Sequence, residues 1–148
     1  MKTVMCFGTF DILHPGHLHY LQQAKKYGDY LIVVIARDET KWRQRKSIIF
    51  NEQERRQLIS SLSMVNEAVW GYPHNHLRII IKKKPEVLCL GYDHSISEKT
   101  LAYKLARYGL HPIIRRISPY HPWQYQSSRL RRLLLQKPQP FPLGSDTK

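Results

Sequence analysis

"CFGTFDILHPGHLHYLQQAKKYGDYLIVVIARD", residues 6–38, is the stretch on which the fold turns. It begins at the end of a short apolar segment, Thr3 to Phe7, and closes with Tyr30 to Ala36, an almost unbroken run rich in β-branched residues. Between them Leu18, Leu21 and Ala24 fall close to one helical face, and Gly28 reads as the breaker that stops the helix. Strand, helix and strand in that order make a crossover unit with parallel strands, and a strand apolar along its whole length is covered on both faces. Gly8 suits a close approach of backbone where the first strand ends. Gly8 and Pro15 alone would explain a turn. They do not explain Thr9, Asp11, His14 and His17 gathered in it.

The same alternation continues outward. In "NEQERRQLISSLSMV" Asn51 caps a helix with Glu54 three positions on, and Leu58, Ile59 and Leu62 form its apolar side. "EAVWG" is a short strand, "NHLRIIIKKK" a helix ended by Pro85, and "EVLCLG" another strand. "SEKTLAYKLARYG" is a helix running from Ser97 to a stop near Gly109, followed by "PIIRRI" as a strand and "SSRLRRLLL" as a last helix. This pattern predicts an α/β chain: a single Rossmann-like domain with a doubly wound, mostly parallel five-stranded sheet and helices on both faces. Ligands of such sheets favour the crevice beyond the strand C-termini, where Gly8, Arg37, Gly91 and Arg116 all fall. The domain spans 1–135. The proline-rich end, 136–148, has little periodicity and reads as flexible or loosely docked.

Composition narrows the partner. With 148 residues, 42% of them hydrophobic, the chain suffices for one core. No apolar run approaches membrane-spanning length and the first residues turn polar too early for a signal peptide, so a cytoplasmic protein without a membrane partner is expected. Cys6 and Cys89 sit in apolar strands and read as small buried hydrophobes. The net charge of +13 favours polyanions, although "RRQL", "IKKKPE" and "LRRLLL" read as solvated surface. A nucleic-acid module is the competing class; no recognised reader motif supports it, and nucleic acid is not expected as the main partner.

The turn itself suits phosphate. Thr9 supplies a hydroxyl, and the first backbone N–H groups after Pro15 are expected to be open to an anion. His14 and His17, three apart, face one ligand and would stabilise charge on transferring phosphoryl oxygens, as imidazolium or as neutral N–H donors. The bland alternative has His14 capping the turn and His17 packed as a helix histidine. Zinc fits less well, since no third ligand stands at a telling spacing, and no protein metal ligands are expected. His19, His74 and His76 read as surface or cap residues. Asp11 reads as holding its own turn through backbone N–H groups in preference to binding metal. Neither a P-loop, a dinucleotide-binding glycine motif nor a nucleophile elbow is present.

"GTFDILHPGH", residues 8–17, resembles the first signature of the cytidylyltransferase-like nucleotidyltransferases, in which a G-x-F-D-like turn precedes H-x-G-H at a helix start. The resemblance covers roughly residues 3–135. It implies that His14 and His17 contact the triphosphate and its transition state, that Gly8, Thr9 and Phe10 shape the nucleotide pocket, and that Gly16 lies against the nucleotide. It further implies that Lys46, with Lys41 second, holds substrate or triphosphate. Gly91 and Asp93 of "LGYD" match the later motif near the nucleotide, while Arg116, Ser127, Ser128 and Arg129 match the arginine strand and serine-opened last helix. The intervening "SPYHPWQYQ" departs from the short link of small members. Tyr120 and Trp123 in it either offer an aromatic surface to substrate or anchor the loop.

"GDYLIVVIARDET" and "LGYD" resemble the archaeal FAD synthase branch. That branch implies ATP and FMN as substrates, FAD and pyrophosphate as products, Mg²⁺ or another divalent cation accompanying the nucleotide, and possible homodimers. CTP with glycerol 3-phosphate or another small phosphate is the alternative, and a non-catalytic nucleotide binder the second.

Overall fold

The computed structural model describes residues 1–121, 123 and 127–135. The expected loose tail, 136–148, lies outside them. The elements follow in the order β1 (Thr3–Gly8), α1 (Pro15–Lys25), β2 (Tyr30–Ile35), α2 (Asp38–Arg43), α3 (Glu52–Ser60), β3 (Glu67–Trp70), α4 (Arg78–Lys83), β4 (Val87–Leu90), α5 (Glu98–Ala106), β5 (Ile113–Arg116) and α6 (Ser127–Leu135). The sheet has five strands in the order β3-β2-β1-β4-β5, and every neighbouring pair is parallel. The chain therefore winds outward from β1 in one direction and then in the other, which leaves the switch point between β1 and β4.

Strand alternation divides the core into two halves. Val4 and Cys6 of β1, Leu31, Val33 and Ile35 of β2, and Val87 and Cys89 of β4 pack with Leu21 and Ala24 of α1 and Ile59 of α3. Met5, Ile32, Val34, Leu88 and Leu90 point the other way, toward Ile79 and Ile80 of α4 and Leu101 and Leu105 of α5. A helix on either face is the only way to bury both sets, which is why β1, β2 and β4 are apolar throughout. Cys6 and Cys89 are register partners on adjacent strands, both buried and both free thiols. Burial raises both thiol pKa values, that of Cys89 to about 12, so both pack as neutral side chains.

Several local expectations change. α2 was not anticipated, because no apolar repeat announces it. It is held by charge, with Asp38 and Glu39 in its first turn and Lys41 and Arg43 in its last. Its end is a Schellman turn in which Arg45 takes the left-handed conformation, φ 55°, while Arg45 and Lys46 donate to the Trp42 and Lys41 carbonyls. α3 stops at Ser60, short of the expected Val65. Its inward residues are Arg55 and Ile59, and Leu58 is 41% exposed.

Gly28 follows the end of α1, as a breaker should, but it does not take the left-handed conformation, and its place is fixed by packing. A Cβ there would lie 2.6 Å from the Lys2 carbonyl oxygen and 2.7 Å from Val4 Cγ2, so glycine is needed where the chain passes under β1. Gly109, at φ +72° after α5, does take the stop role. No helix among the described residues is long and apolar enough to cross a membrane.

Gly28→Ala should accordingly destabilise the fold by about 1–3 kcal/mol, the usual cost of overpacking against a fixed neighbour. Urea denaturation measures it, and an unchanged midpoint would mean that the backbone at Lys2 yields freely.

Candidate active site

At the end of β1 the chain bends sharply. Phe10 adopts φ 55° and folds its ring back over Gly8, where a Cβ would meet the ring at 2.6 Å. Gly8 is thus glycine to admit the ring of Phe10. Phe10 itself is 2% exposed, so it shapes the turn from beneath. Its ring meets that of His17 edge-on at 5.2 Å, and the His14 and His17 rings stack at 3.7 Å.

The two histidines cap α1 reciprocally. His14 Nδ1 accepts the Gly16 N–H at 3.1 Å, and His17 Nδ1 accepts the His14 N–H at 3.4 Å. With both Nδ1 atoms accepting, the proton of each neutral ring sits on Nε2. Burial, then the neighbouring His14, hold His17 down to about 3, with a hydrogen bond to the Ile12 backbone acting in the opposite sense. Burial lowers His14 as well. Both rings are therefore neutral at neutral pH in the chain as it stands.

The cap also overturns the expectation of an open helix start. Pro15 has no N–H, Gly16 donates to His14 Nδ1, and His17 and Leu18 donate to the His14 carbonyl at 2.9 and 3.3 Å. The first-turn donors are spent within the turn. What the turn presents is its imidazoles.

Asp11 is structural, but not through its own turn. It is 1% exposed and accepts the N–H groups of Ile49 and Phe50 at 2.8–3.0 Å, drawing the segment after α2 against the histidine turn. Arg55 completes the arrangement. Expected at the surface within "RRQL", it is fully buried and donates to the carbonyls of Thr9 (2.9 Å), Ala36 (2.8 Å) and Phe50 (3.1 Å) and to Asp38 Oδ1 (2.6 Å). The sequence signal was its spacing: Arg55 stands one helical turn before Ile59, on the inward face.

Across the switch point, Tyr20 of α1 reaches under the sheet. Its hydroxyl accepts the Phe7 N–H at 3.2 Å and donates to the Cys89 carbonyl at 2.7 Å, beyond the last β1–β4 register pair. Burial pushes its pKa well up, so it stays protonated and able to donate.

Arg116, expected at the reacting phosphates, uses all of its guanidinium nitrogens on the loop after β4. It donates to the carbonyls of Gly91, His94 and Ile96 at 2.7–2.9 Å and to Glu98 at 2.6 Å. Gly91 and Asp93 lie in that loop, and Asp93 is exposed.

The remaining candidates are spread around this centre. Lys41 is 9% exposed, with Nζ 3.2 Å from Gln44 Oε1, whereas Lys46 is exposed beyond the α2 turn. Tyr120 stacks on His19 of α1 at 5.2 Å, so His19 is the dock of the 118–121 segment and no idle surface residue. His121 meets both Tyr120 (4.4 Å) and Trp123 (4.8 Å) edge-on, and Trp123 is 64% exposed. Arg129 is exposed on α6. Ser127 and Ser128 open α6, and their side chains lie outside the described residues.

The histidine arrangement has a titration signature. The unfolded His17 ring takes up its proton near 6.5 and the folded ring only near 3, so stability falls as pH drops through that window and is unaffected above it. Long-range ¹H–¹⁵N spectra should show His17 neutral with its proton on Nε2 from pH 8 to about pH 5. An imidazolium signal at pH 6 would overturn the capped geometry.

Several known proteins are similar to this chain in sequence and fold. The model of the cytidylyltransferase-like family matches residues 5–133. A protein of Picrophilus torridus called FAD synthase is 41% identical over 133 residues, covering 90% of this chain and 96% of its own. One of the same name from Thermoplasma volcanium is 41% identical over 136 residues, covering 92% and 96%. A crystal structure from Thermoplasma volcanium, described as a lipopolysaccharide core biosynthesis protein, superposes with a TM-score of 0.79 at 44% identity, over 81% of this chain and 98% of that one. With the histidine turn at the head of α1 and the family match running from β1 into α6, the chain belongs to the cytidylyltransferase-like family.

Proposed function

We propose that the protein is an FMN adenylyltransferase, transferring AMP from ATP to FMN to give FAD and pyrophosphate. The observation that carries the chemistry is the stacked pair of neutral histidines at the β1 switch point. An FMN phosphate oxygen forms the new bond to the α-phosphorus while the bond from that phosphorus to the bridging oxygen of pyrophosphate breaks. A phosphate dianion is nucleophilic at neutral pH, so no general base is needed. Alignment and charge stabilisation remain, and the Nε2–H donors supply the second, that of His14 fixed by its Nδ1 bond and that of His17 on leaving the Ile12 backbone. The kinship with proteins called FAD synthase supports FMN as acceptor.

Gly8, Thr9 and Gly16 bring backbone close to the nucleotide; Gly91 and Asp93 face it from the loop that Arg116 positions. Lys46 and Arg129 contact the phosphates from the rim; for Ser127 and Ser128 that contact is what the family resemblance implies. Trp123, exposed beside the docked Tyr120, suits one face of the isoalloxazine ring. Mg²⁺ fits as an ion carried by the triphosphate. Both Asp11 oxygens already accept backbone N–H groups, and no group of three His, Cys, Asp or Glu side chains that could hold a metal occurs among the described residues, so water and nucleotide oxygens would form its shell. When bound it neutralises triphosphate charge. The cytoplasm, where both substrates occur, is the compartment this reading requires.

Incubation with Mg²⁺ and each pairing of ATP or CTP with FMN, glycerol 3-phosphate or 4'-phosphopantetheine, followed by mass separation, tests the assignment. FAD should form from ATP and FMN; CDP-glycerol without FAD would replace it. His14→Ala and His17→Ala should each lower turnover by about tenfold or more while circular dichroism stays unchanged. A folded variant with wild-type turnover would reduce that histidine to its capping role.

A further inference from the structure

Tyr20 stands three residues after His17 on α1, the spacing at which helix side chains are neighbours. Its ring packs against the α1 and α3 half of the core, and its hydroxyl crosses to the sheet. The hydroxyl donates to the Cys89 carbonyl of β4 at 2.7 Å and accepts the Phe7 N–H of β1 at 3.2 Å. Each partner is main chain, one residue before the end of its strand. Burial, ahead of every other influence, holds the Tyr20 pKa well up, so the hydroxyl keeps the proton it donates.

The other contacts that seat α1 differ in kind or in place. Leu21 and Ala24 are fully buried in the same half of the core, and apolar burial of that sort is strong but without direction. At the far end of the helix Lys25 donates to the Asp29 carbonyl at 2.9 Å and to Asn66 Oδ1, which ties α1 to the segments before β2 and β3. Tyr20 is, among the described residues, the α1 side chain that hydrogen-bonds strand backbone, and it bonds two strands at once. The helix is thus pegged at both ends, and the Tyr20 peg is the one beside the head that carries the His14 and His17 rings.

We propose that Tyr20 is a positioning residue of the transfer: through Phe7 and Cys89 it seats the head of α1 against the ends of β1 and β4, and so sets where the His14 and His17 rings stand relative to the reacting phosphates. This rests on the transferase reading above. Tyr20 acts through the histidines and not on the substrate itself. The effect falls on the transition state, because a displacement of about 1 Å that begins away from the chemistry costs on the order of a hundredfold in rate. Binding of either substrate, spread over many groups, is far less sensitive to the placement of two rings.

Tyr20→Phe deletes the hydroxyl and keeps the ring in the core. Its kcat should fall about tenfold while the KM values for ATP and FMN stay within about twofold of wild type. Lys25→Ala, which removes the peg at the far end, is the control, and its kcat should stay within about twofold. An unchanged kcat in folded Tyr20→Phe, or an equal fall in Lys25→Ala, overturns the proposal. Long-range ¹H–¹⁵N spectra give a readout independent of turnover. Burial holds His17 down to about 3 in the wild type, and a less closely seated, better hydrated ring should take up its proton at higher pH in Tyr20→Phe. Coincident His17 titration curves overturn the proposal whatever the kinetics. If the wild-type protein makes no FAD, the transferase reading fails on its own, and the spectra alone then decide whether Tyr20 seats the histidines.

Discussion

The active end of this molecule depends on one buried guanidinium. Parallel strands that stop at the same level leave carbonyls facing an apolar interior as the chain turns away, and each costs free energy unless it finds a donor. Arg55 serves those of Thr9 after β1, Ala36 after β2 and Phe50 before α3, and pairs with Asp38 at the head of α2. Asp11 supplies the acceptor side by taking the N–H groups of Ile49 and Phe50. Glu52 adds bonds to Arg37 and to the Asp38 backbone. The acids nearest the first crevice are therefore structural.

The histidine turn achieves with imidazole what serine and glutamate usually do at a helix start. A serine cap would satisfy the backbone and end there. An imidazole accepts through Nδ1 and keeps a second nitrogen, whose tautomer that bond dictates, so one contact both closes the helix and orients a donor. Stacking at 3.7 Å requires that the rings not both be charged, and burial ensures it. Structural and chemical roles of His14 and His17 are two consequences of the same bonds. The helix dipole still points at the crevice, with the two capping side chains at its head.

Strand and helix order, the two-faced apolar strands and the Asn51 and Ser97 caps were legible because each is written in local pattern. The histidine turn was legible because its chemistry is contiguous. What escaped lies in contacts between distant segments. The spacing of "RRQL" put Arg55 on the inward face, yet nothing local showed that several carbonyls converge there. Gly28 looks like a helix stop until β1 is placed above it, and α2 has no apolar stripe to announce it. Arg116 resembles a phosphate ligand in sequence; only the loop after β4, folded around it, shows what its nitrogens serve. The helical period alone puts Leu58 inward, but the buried face of α3 runs through Arg55 and Ile59 and leaves Leu58 outside.

Strand order then explains why the crevice has two unlike walls. Because β1 is central and β4 enters beside it from the opposite winding direction, their ladder stops at Cys6 and Cys89 and the strands part above it. Tyr20 bridges that parting with one hydroxyl, satisfying the Phe7 N–H and the Cys89 carbonyl while leaving the strands apart. The bridge keeps His94 with Phe7 on one side and His17 with Phe10 on the other.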